Sequence, residues 1–206
     1  MRELSLHVLD LVQNSIAAGA DRIRILIREN DARHLLQIRV EDNGCGMTPQ
    51  QAKQACDPFF TTRTTRTVGL GIPLFKMAAE MTGGSFRIDS VCGAGTVVTA
   101  EFDTGHVDMI PLGDINGTVA LLIRCNPELD FEFRRSFGEK ELALDTALLR
   151  RELGEDISLN DADVIGWISE YLQEETGRLL SGRETSAADT LRTDDGKTDR
   201  NLPSGT

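Results

Sequence analysis

The chain has 206 residues, 40% of them hydrophobic, and a formal charge of −11, which suits one ordinary domain with a real core and something smaller beside it. The acidic balance, with no basic stripe, speaks against a nucleic-acid partner, because phosphate backbones are gripped by clustered Lys and Arg. The longest apolar stretch, Val119 to Ile123, is far short of the roughly 20 residues that span a bilayer, and Met-Arg-Glu-Leu lacks a signal-peptide core, so a cytoplasmic protein without membrane contact is expected.

From Glu3 to Ala17, Leu4, Val8, Leu11, Val12 and Ile16 recur at helical spacing and Gly19 follows as a stop. Asp10 and Asn14 lie one turn apart on this helix, so their polar side chains leave it on the same side. Ile23, Ile25 and Ile27, then Leu36, Ile38 and Val40, alternate with more polar residues and predict two half-buried strands. Asp42 continues the inward phase of the second strand, which suggests a carboxylate placed at a pocket edge. Thr48-Pro-Gln-Gln51 has the form of an N-cap, a Pro at the first helical position and a reciprocal capping Gln. Phe59 to Gly71, rich in Thr, Arg and Gly, reads as a mobile loop. A helix over Ile72 to Met81 is expected to bury Leu74, Met77, Ala78 and Met81, and strands over Ser85–Ser90 and Thr96–Phe102 follow. Thr96 shares a face with Val98, Ala100 and Phe102, which turns its hydroxyl inward.

After about Gly105 the character changes. Gly117–Cys125, Asp130–Phe137 and Leu142–Leu144 read as strands, with a turn at Gly138-Glu-Lys140. Thr146–Leu153 and Asp163–Leu172 read as helices, the second with Val164, Trp167, Ile168 and Tyr171 on one side. The expected organisation is a domain over residues 1–104, a small α+β appendage over 105–177, and a disordered tail over 178–206, too polar to repay the entropy of ordering. Cys45, Cys56, Cys92 and Cys125 show no Cys-x-x-Cys pairing and His7, His34 and His106 are scattered, so zinc spacing is missing and reduced, structural thiols are expected.

Several positions have the right chemistry for a magnesium nucleotide, and each has a plainer reading. An ionised Asp42 only accepts hydrogen bonds, which suits the exocyclic amine of adenine over the carbonyl of guanine; Asp-Asn-Gly is equally a common hairpin turn. Gly44 and Gly46 would let backbone lie against a flat base and take positive φ. Asn14 would offer its amide oxygen to Mg²⁺ and Asp10 would position or deprotonate an attacking water or hydroxyl; both are also ordinary solvated helix residues. Gly69 and Gly71 precede a helix whose free N–H groups would meet phosphate oxygens, or simply form a turn. Thr61, Thr62 and Arg63 would reach a γ-phosphate on loop closure, or belong to a solvated loop, and Phe59-Phe60 is a core pair or a loop anchor.

The order of Asp10-Leu-Val-Gln-Asn14, Asp42-Asn-Gly-Cys-Gly-Met47, Asp57-Pro-Phe-Phe-Thr-Thr-Arg63 and Thr67-Val-Gly-Leu-Gly71 resembles the GHKL ATPase superfamily of gyrase, chaperone, histidine-kinase and mismatch-repair ATPases. Leu11 to Ala20 resembles its N box, closest to that of mismatch-repair ATPases. Asp42–Met47 resembles the first glycine box, Asp57–Arg63 the F box of histidine kinases, Gly69–Gly71 the second glycine box and Gly93-Ala-Gly-Thr96 the last Gly-x-Gly-Thr. The likeness covers about residues 1–103. It implies an α/β, two-layer sandwich with helices on one face of a mixed sheet, the C-terminal appendage being extra, and ATP held between the helix layer and a flexible lid. Within it, Asn14 would ligate Mg²⁺, Asp42 would read adenine and Thr96 would support the base through water. Gly44, Gly46, Met47, Phe60, Thr61, Thr62, Gly69, Leu70 and Gly71 would line the nucleotide site, and Asp10 and Arg63 would act on the transferred phosphate.

Two departures stand out: Asp10 stands where the N box usually has Glu, and the N-box helix starts almost at Met1, with no phosphoacceptor segment before it. The resemblance therefore implies a standalone histidine-kinase-like protein. On this resemblance it would bind Mg-ATP and act as a protein kinase or regulatory ATPase on a separate protein, the alternative being an ATP-gated, anti-sigma-like switch without turnover. A DNA-repair ATPase ranks third, against the acidic charge. Similar short chains near iron-only hydrogenase genes imply a hydrogenase-associated partner. The oligomeric state is left open.

Overall fold

A computed structural model describes residues 3–58, 70–154 and 157–190 of the protein. Leu4, Val8, Leu11 and Val12 bury one stripe of α1 (Leu4–Ala17), as their spacing predicts. β1 (Arg22–Asn30) and β2 (Leu35–Asp42) pair antiparallel and turn Ile23, Ile25, Ile27, Leu36, Ile38 and Val40 to one face. α2 (Pro49–Ala55) carries the expected reciprocal cap, the Gln51 N–H donating to Thr48 Oγ1 and the Thr48 N–H to Gln51 Oε1. α3 (Gly71–Met81), β3 (Ser85–Val91) and β4 (Gly95–Asp103) follow. The remaining elements are α4 (Ile115–Cys125), β5 (Asp130–Phe137), β6 (Lys140–Asp145), α5 (Thr146–Leu153) and α6 (Ala162–Thr190).

The strands form one six-stranded sheet in the order β3-β4-β2-β1-β5-β6, antiparallel throughout except for the parallel β1–β5 pair. Ile25, Ile38, Phe102 and Phe133 share the apolar face with α1, α3 and α4 in one continuous core. The opposite face is polar: Glu132 accepts from Arg24 Nε and Arg134 Nε, both at 2.7 Å, and Arg24 also approaches Glu41 at 3.5 Å. The fold is thus the expected two-layer sandwich, with helices on one side of a mixed sheet. No described helix is long and apolar enough to cross a membrane.

Four expectations are corrected. Residues 117–125 are helical: Asp114 caps α4 by accepting from the Gly117 N–H at 2.8 Å, and Ile115, Val119, Leu122 and Ile123 bury one helical face. The apolar run from Val119 to Ile123 suits a strand as well, but a helix here packs against α1 and α6. On α3 the buried side chains are Pro73, Phe75 and Ala79, while Met77 and Met81 are exposed, so the predicted stripe is one position out of phase. Residues 178–190 continue α6 where disorder was expected; residues 191–206 lie outside the described residues. The thiols are free, but Cys45, Cys92 and Cys125 are exposed, which does not suit a structural role in the core. The strands of residues 105–177 extend the main sheet through the β1–β5 ladder. On α6, Val164, Ile168 and Leu172 are buried, while Trp167, half exposed, stacks at 5.3 Å on Tyr171, which lies partly buried against the core.

Candidate functional site

The end of β2 delivers Asp42 into a cavity of about 370 Å³ between the sheet and α1, lined among others by Asn14, Asp42, Gly46, Met47 and Thr96. The register places Asp42 opposite Thr96 on β4. Asp42 Oδ1 accepts the Gly44 N–H at 3.0 Å and the Thr96 N–H at 3.2 Å, and Oδ2 accepts the Ser15 hydroxyl at 2.7 Å. The carboxylate is thereby fixed from three sides, and with two acceptor sites per oxygen its spare capacity is on Oδ2. Thr96 Oγ1 lies 2.8 Å from Ser90 Oγ, which also accepts the Met47 N–H at 2.8 Å, so the strand pair β3–β4 is tied to the glycine loop. Leu11, Val40, Ile72 and Val98 supply apolar walls.

α1 and α3 meet beside this cavity. A Cβ built on Gly71 would lie 2.9 Å from Asp10 Cβ, 3.5 Å from Asp10 Oδ2 and 3.6 Å from Asn14 Nδ2. Glycine is what lets the start of α3 rest directly on the two polar residues of α1. Burial holds the Asp10 carboxyl above the ordinary carboxylate range. One turn earlier His7 is buried against Phe75, ring centroids 5.7 Å apart, with no hydrogen-bond partner for Nδ1; burial lowers its pKa to about 4.

The structure brings together Asn14, Asp42, Gly46, Met47 and Thr96 as cavity lining, with Asp10 and Gly71 adjoining. Gly44 serves through its N–H, and Leu70 is the N-cap of α3. The glycine expectation changes in one respect. Gly46 has φ +64°, as predicted, but a Cβ there would strike the Val91 carbonyl oxygen at 2.0 Å, and one on Gly44 would meet Ala18 Cβ at 2.9 Å. The space these glycines spare is taken by the protein's own chain, which closes the loop onto α1 and β3 instead of making room for a base. Phe60, Thr61, Thr62, Arg63 and Gly69 lie outside the described residues. Ser15 and Ser90 were not singled out from the sequence; the only signal for Ser15 was a hydroxyl four residues after Leu11 on the buried stripe of α1. Among the described residues no group of three or more His, Cys, Asp or Glu gathers to hold a metal ion.

A family model described as histidine kinase-, DNA gyrase B-, and HSP90-like ATPase matches residues 2–106, just over half of the chain. The chain belongs to this ATPase family. The signal transduction histidine-protein kinase AtoS of Escherichia coli (strain K12) is 35% identical over 102 residues, covering 48% of this chain and 16% of AtoS. A probable C4-dicarboxylate sensor kinase of Bacillus subtilis (strain 168) is 36% identical over 81 residues, 39% of this chain and 15% of the kinase. The match therefore takes in only about a sixth of these relatives' length. The N-terminal domain of a DNA repair protein, known from its crystal structure, superposes with a TM-score of 0.51 at 15% identity, covering 70% of this chain and 53% of that one; this likeness is one of fold. As a member of the ATPase family, the chain carries an ATP-binding, kinase-like ATPase domain whose glycine box and N-box helix line the cavity described above.

Proposed function

We propose that the protein binds Mg-ATP in this cavity and transfers phosphate to a separate protein in the cytoplasm, where ATP is supplied. One observation carries the reading: a carboxylate fixed by three donors and an Asn amide line the same cavity, walled by apolar side chains. The donor set fits the nucleotide. Asp42 Oδ2 accepts the exocyclic amine of adenine, which favours ATP over GTP, and Thr96 supports the base through water. Leu11, Val40, Ile72 and Val98 receive the ring faces. Asn14 would offer its amide oxygen to Mg²⁺, and the ion, when bound, would neutralise phosphate charge. Leu70 and Gly71 open α3 with N–H groups suited to phosphate oxygens.

Asp10 is the general base. Its raised pKa makes it a better proton acceptor than an exposed carboxylate, and it lies close against Gly71 at the start of α3. To Arg63, with Thr61 and Thr62, all outside the described residues, we assign the role of donors to the transferred phosphate. The alternative, an ATP-gated binding switch without turnover, is favoured by Asp10 itself, one methylene shorter than the Glu expected there. Incubation with γ-labelled ATP, alone and with candidate protein substrates, separates the two: label on another protein supports the kinase, and tight binding without turnover supports the switch. Failure to bind ATP at all refutes both.

A further inference from the structure

The two edges of the sheet are finished differently. On β6 the outward carbonyl of Ala143 is taken by the Tyr171 hydroxyl at 2.9 Å, and Lys140 reaches across to the Arg178 carbonyl at 3.2 Å, so α6 guards that edge. β3 is finished differently: α2 packs beside it, but among the described residues no backbone group bonds to the N–H and C=O groups of its outer side. It is seven residues long and contains no Pro, and an unpaired strand of that kind is a template for another strand.

The register of the β3–β4 hairpin says which groups are on offer. Val91 pairs with Gly95, and its carbonyl accepts the Ala94 N–H at 3.0 Å, so Val91 directs its backbone groups into the hairpin. By the two-residue alternation of a strand, Ser85, Arg87 and Asp89 do the same, and Phe86, Ile88 and Ser90 present N–H and C=O outward. An antiparallel partner with the same sequence, centred on Ile88, would set Ile88 against Ile88 and Phe86 against Ser90 as hydrogen-bonded pairs. It would set Arg87 against Asp89 twice, at the non-hydrogen-bonded positions where facing side chains come closest. Arg87 and Asp89 stand exposed on the open face of the sheet, where their own ion pair spans 2.6 Å, so each can exchange its partner for the one across the dyad. Phe86 and Ile88 remain only partly buried at the edge of the core and gain cover from the pairing, as does Val91, 65% exposed. The strand is neutral within a chain of charge −11, which removes local repulsion from this edge.

We propose that β3 is a self-association surface: two copies of the chain pair β3 with β3 antiparallel about Ile88 and join their sheets into one. This stands apart from the nucleotide reading. It also gives that edge a route to the cavity, because Ser90 at the end of β3 holds the Met47 N–H and Thr96.

Sedimentation velocity on the full chain over a wide concentration range tests it. The wild type is expected to show a reversible monomer–dimer equilibrium. Arg87→Asp and Asp89→Arg each convert two facing attractions into two repulsions, which should raise the dimer dissociation constant roughly tenfold or more. Mixing the two variants restores opposite charges across the dyad and should recover association, as should the double variant R87D/D89R in one chain. Circular dichroism checks the fold, and the double variant, which keeps both residue types, carries the test should a single variant misfold. A wild type that stays monomeric, a dimer indifferent to both single changes, or a mixture that fails to associate would each overturn the proposal.

Discussion

Replacing Asp42 with Asn changes a single atom at the centre of the cavity. Oδ1 already accepts two backbone N–H groups, from Gly44 and Thr96, so the new amide keeps its oxygen there and its Nδ2 takes the place of Oδ2. The amide then donates to Ser15 Oγ, whose hydroxyl turns to the Leu11 carbonyl, already 3.3 Å away. The fold is therefore expected to survive with a melting temperature lowered by only a few degrees. Toward adenine, however, an acceptor has become a donor facing a donor. Loss of the charge-assisted hydrogen bond costs about 1.5–3 kcal/mol, and the two donors left without acceptors add about 1–3 kcal/mol. A total near 3–4 kcal/mol lowers ATP affinity by about a hundredfold or more. Isothermal titration of the folded variant with Mg-ATP measures this directly. If Asp42→Asn binds ATP as tightly as the wild type, Asp42 does not read the base.

Asp10→Asn keeps size and packing beside Gly71 but removes the proton acceptor, so label transfer from γ-labelled ATP should stop while ATP binding persists; undiminished transfer would remove Asp10 from the mechanism. In the wild type, transfer should fall off on acidification at a higher pH than an ordinary carboxylate would dictate, because burial raises the Asp10 pKa. Gly71→Ala places a methyl 2.9 Å from Asp10 Cβ; overpacking of this kind costs about 1–3 kcal/mol and should appear as a melting temperature several degrees lower together with weaker ATP binding. Neither changing would show that the start of α3 has room to shift. Two groups should make stability decline in acid, in separate windows. His7 has its pKa lowered from 6.5 to about 4 by burial, so the unfolded chain takes up a proton that the folded one refuses, and stability is lost as pH falls from 6.5 toward 4. Glu132, held at about 2 chiefly by the Arg24 hydrogen bond, contributes stability above its ordinary 4.5 that disappears as pH falls from there toward 2. Denaturant titrations at stepped pH should find the upper window flattened by His7→Leu and the lower one by Glu132→Gln; unchanged profiles would disprove the assignments.

Much of the first half was legible because its information is local. Leu4, Val8, Leu11 and Val12 carry the period of α1, the alternating Ile and Val positions carry β1 and β2, and Thr48-Pro-Gln-Gln51 spells out its own cap; a residue's neighbours in the chain suffice to say which way it faces. The position of Asp42 at a strand end and of Asn14 one turn from Asp10 followed from the same periodicities. The second half was less legible where local signals conflict. The apolar run from Val119 to Ile123 satisfies both a buried strand and a buried helix, and the choice was made by the face that α1 and α6 offer to α4. Similarly, α3 turns Phe75 inward, where its ring packs against His7, Phe86 and Phe102, and Met77 and Met81 are left outside.

The chain alone determined most elements of the first half and which of its residues have the chemistry for a magnesium nucleotide, since hydrophobic period and side-chain type are properties of sequence. Only the tertiary structure decided that Ser15, Gly44 and Thr96 converge on one carboxylate, that β5 continues the sheet beside β1, and that β3 is left as an open edge. Those relations join residues as much as 110 positions apart, as between Arg22 and Glu132, and they are fixed by strand register and helix packing, which no stretch of sequence encodes by itself.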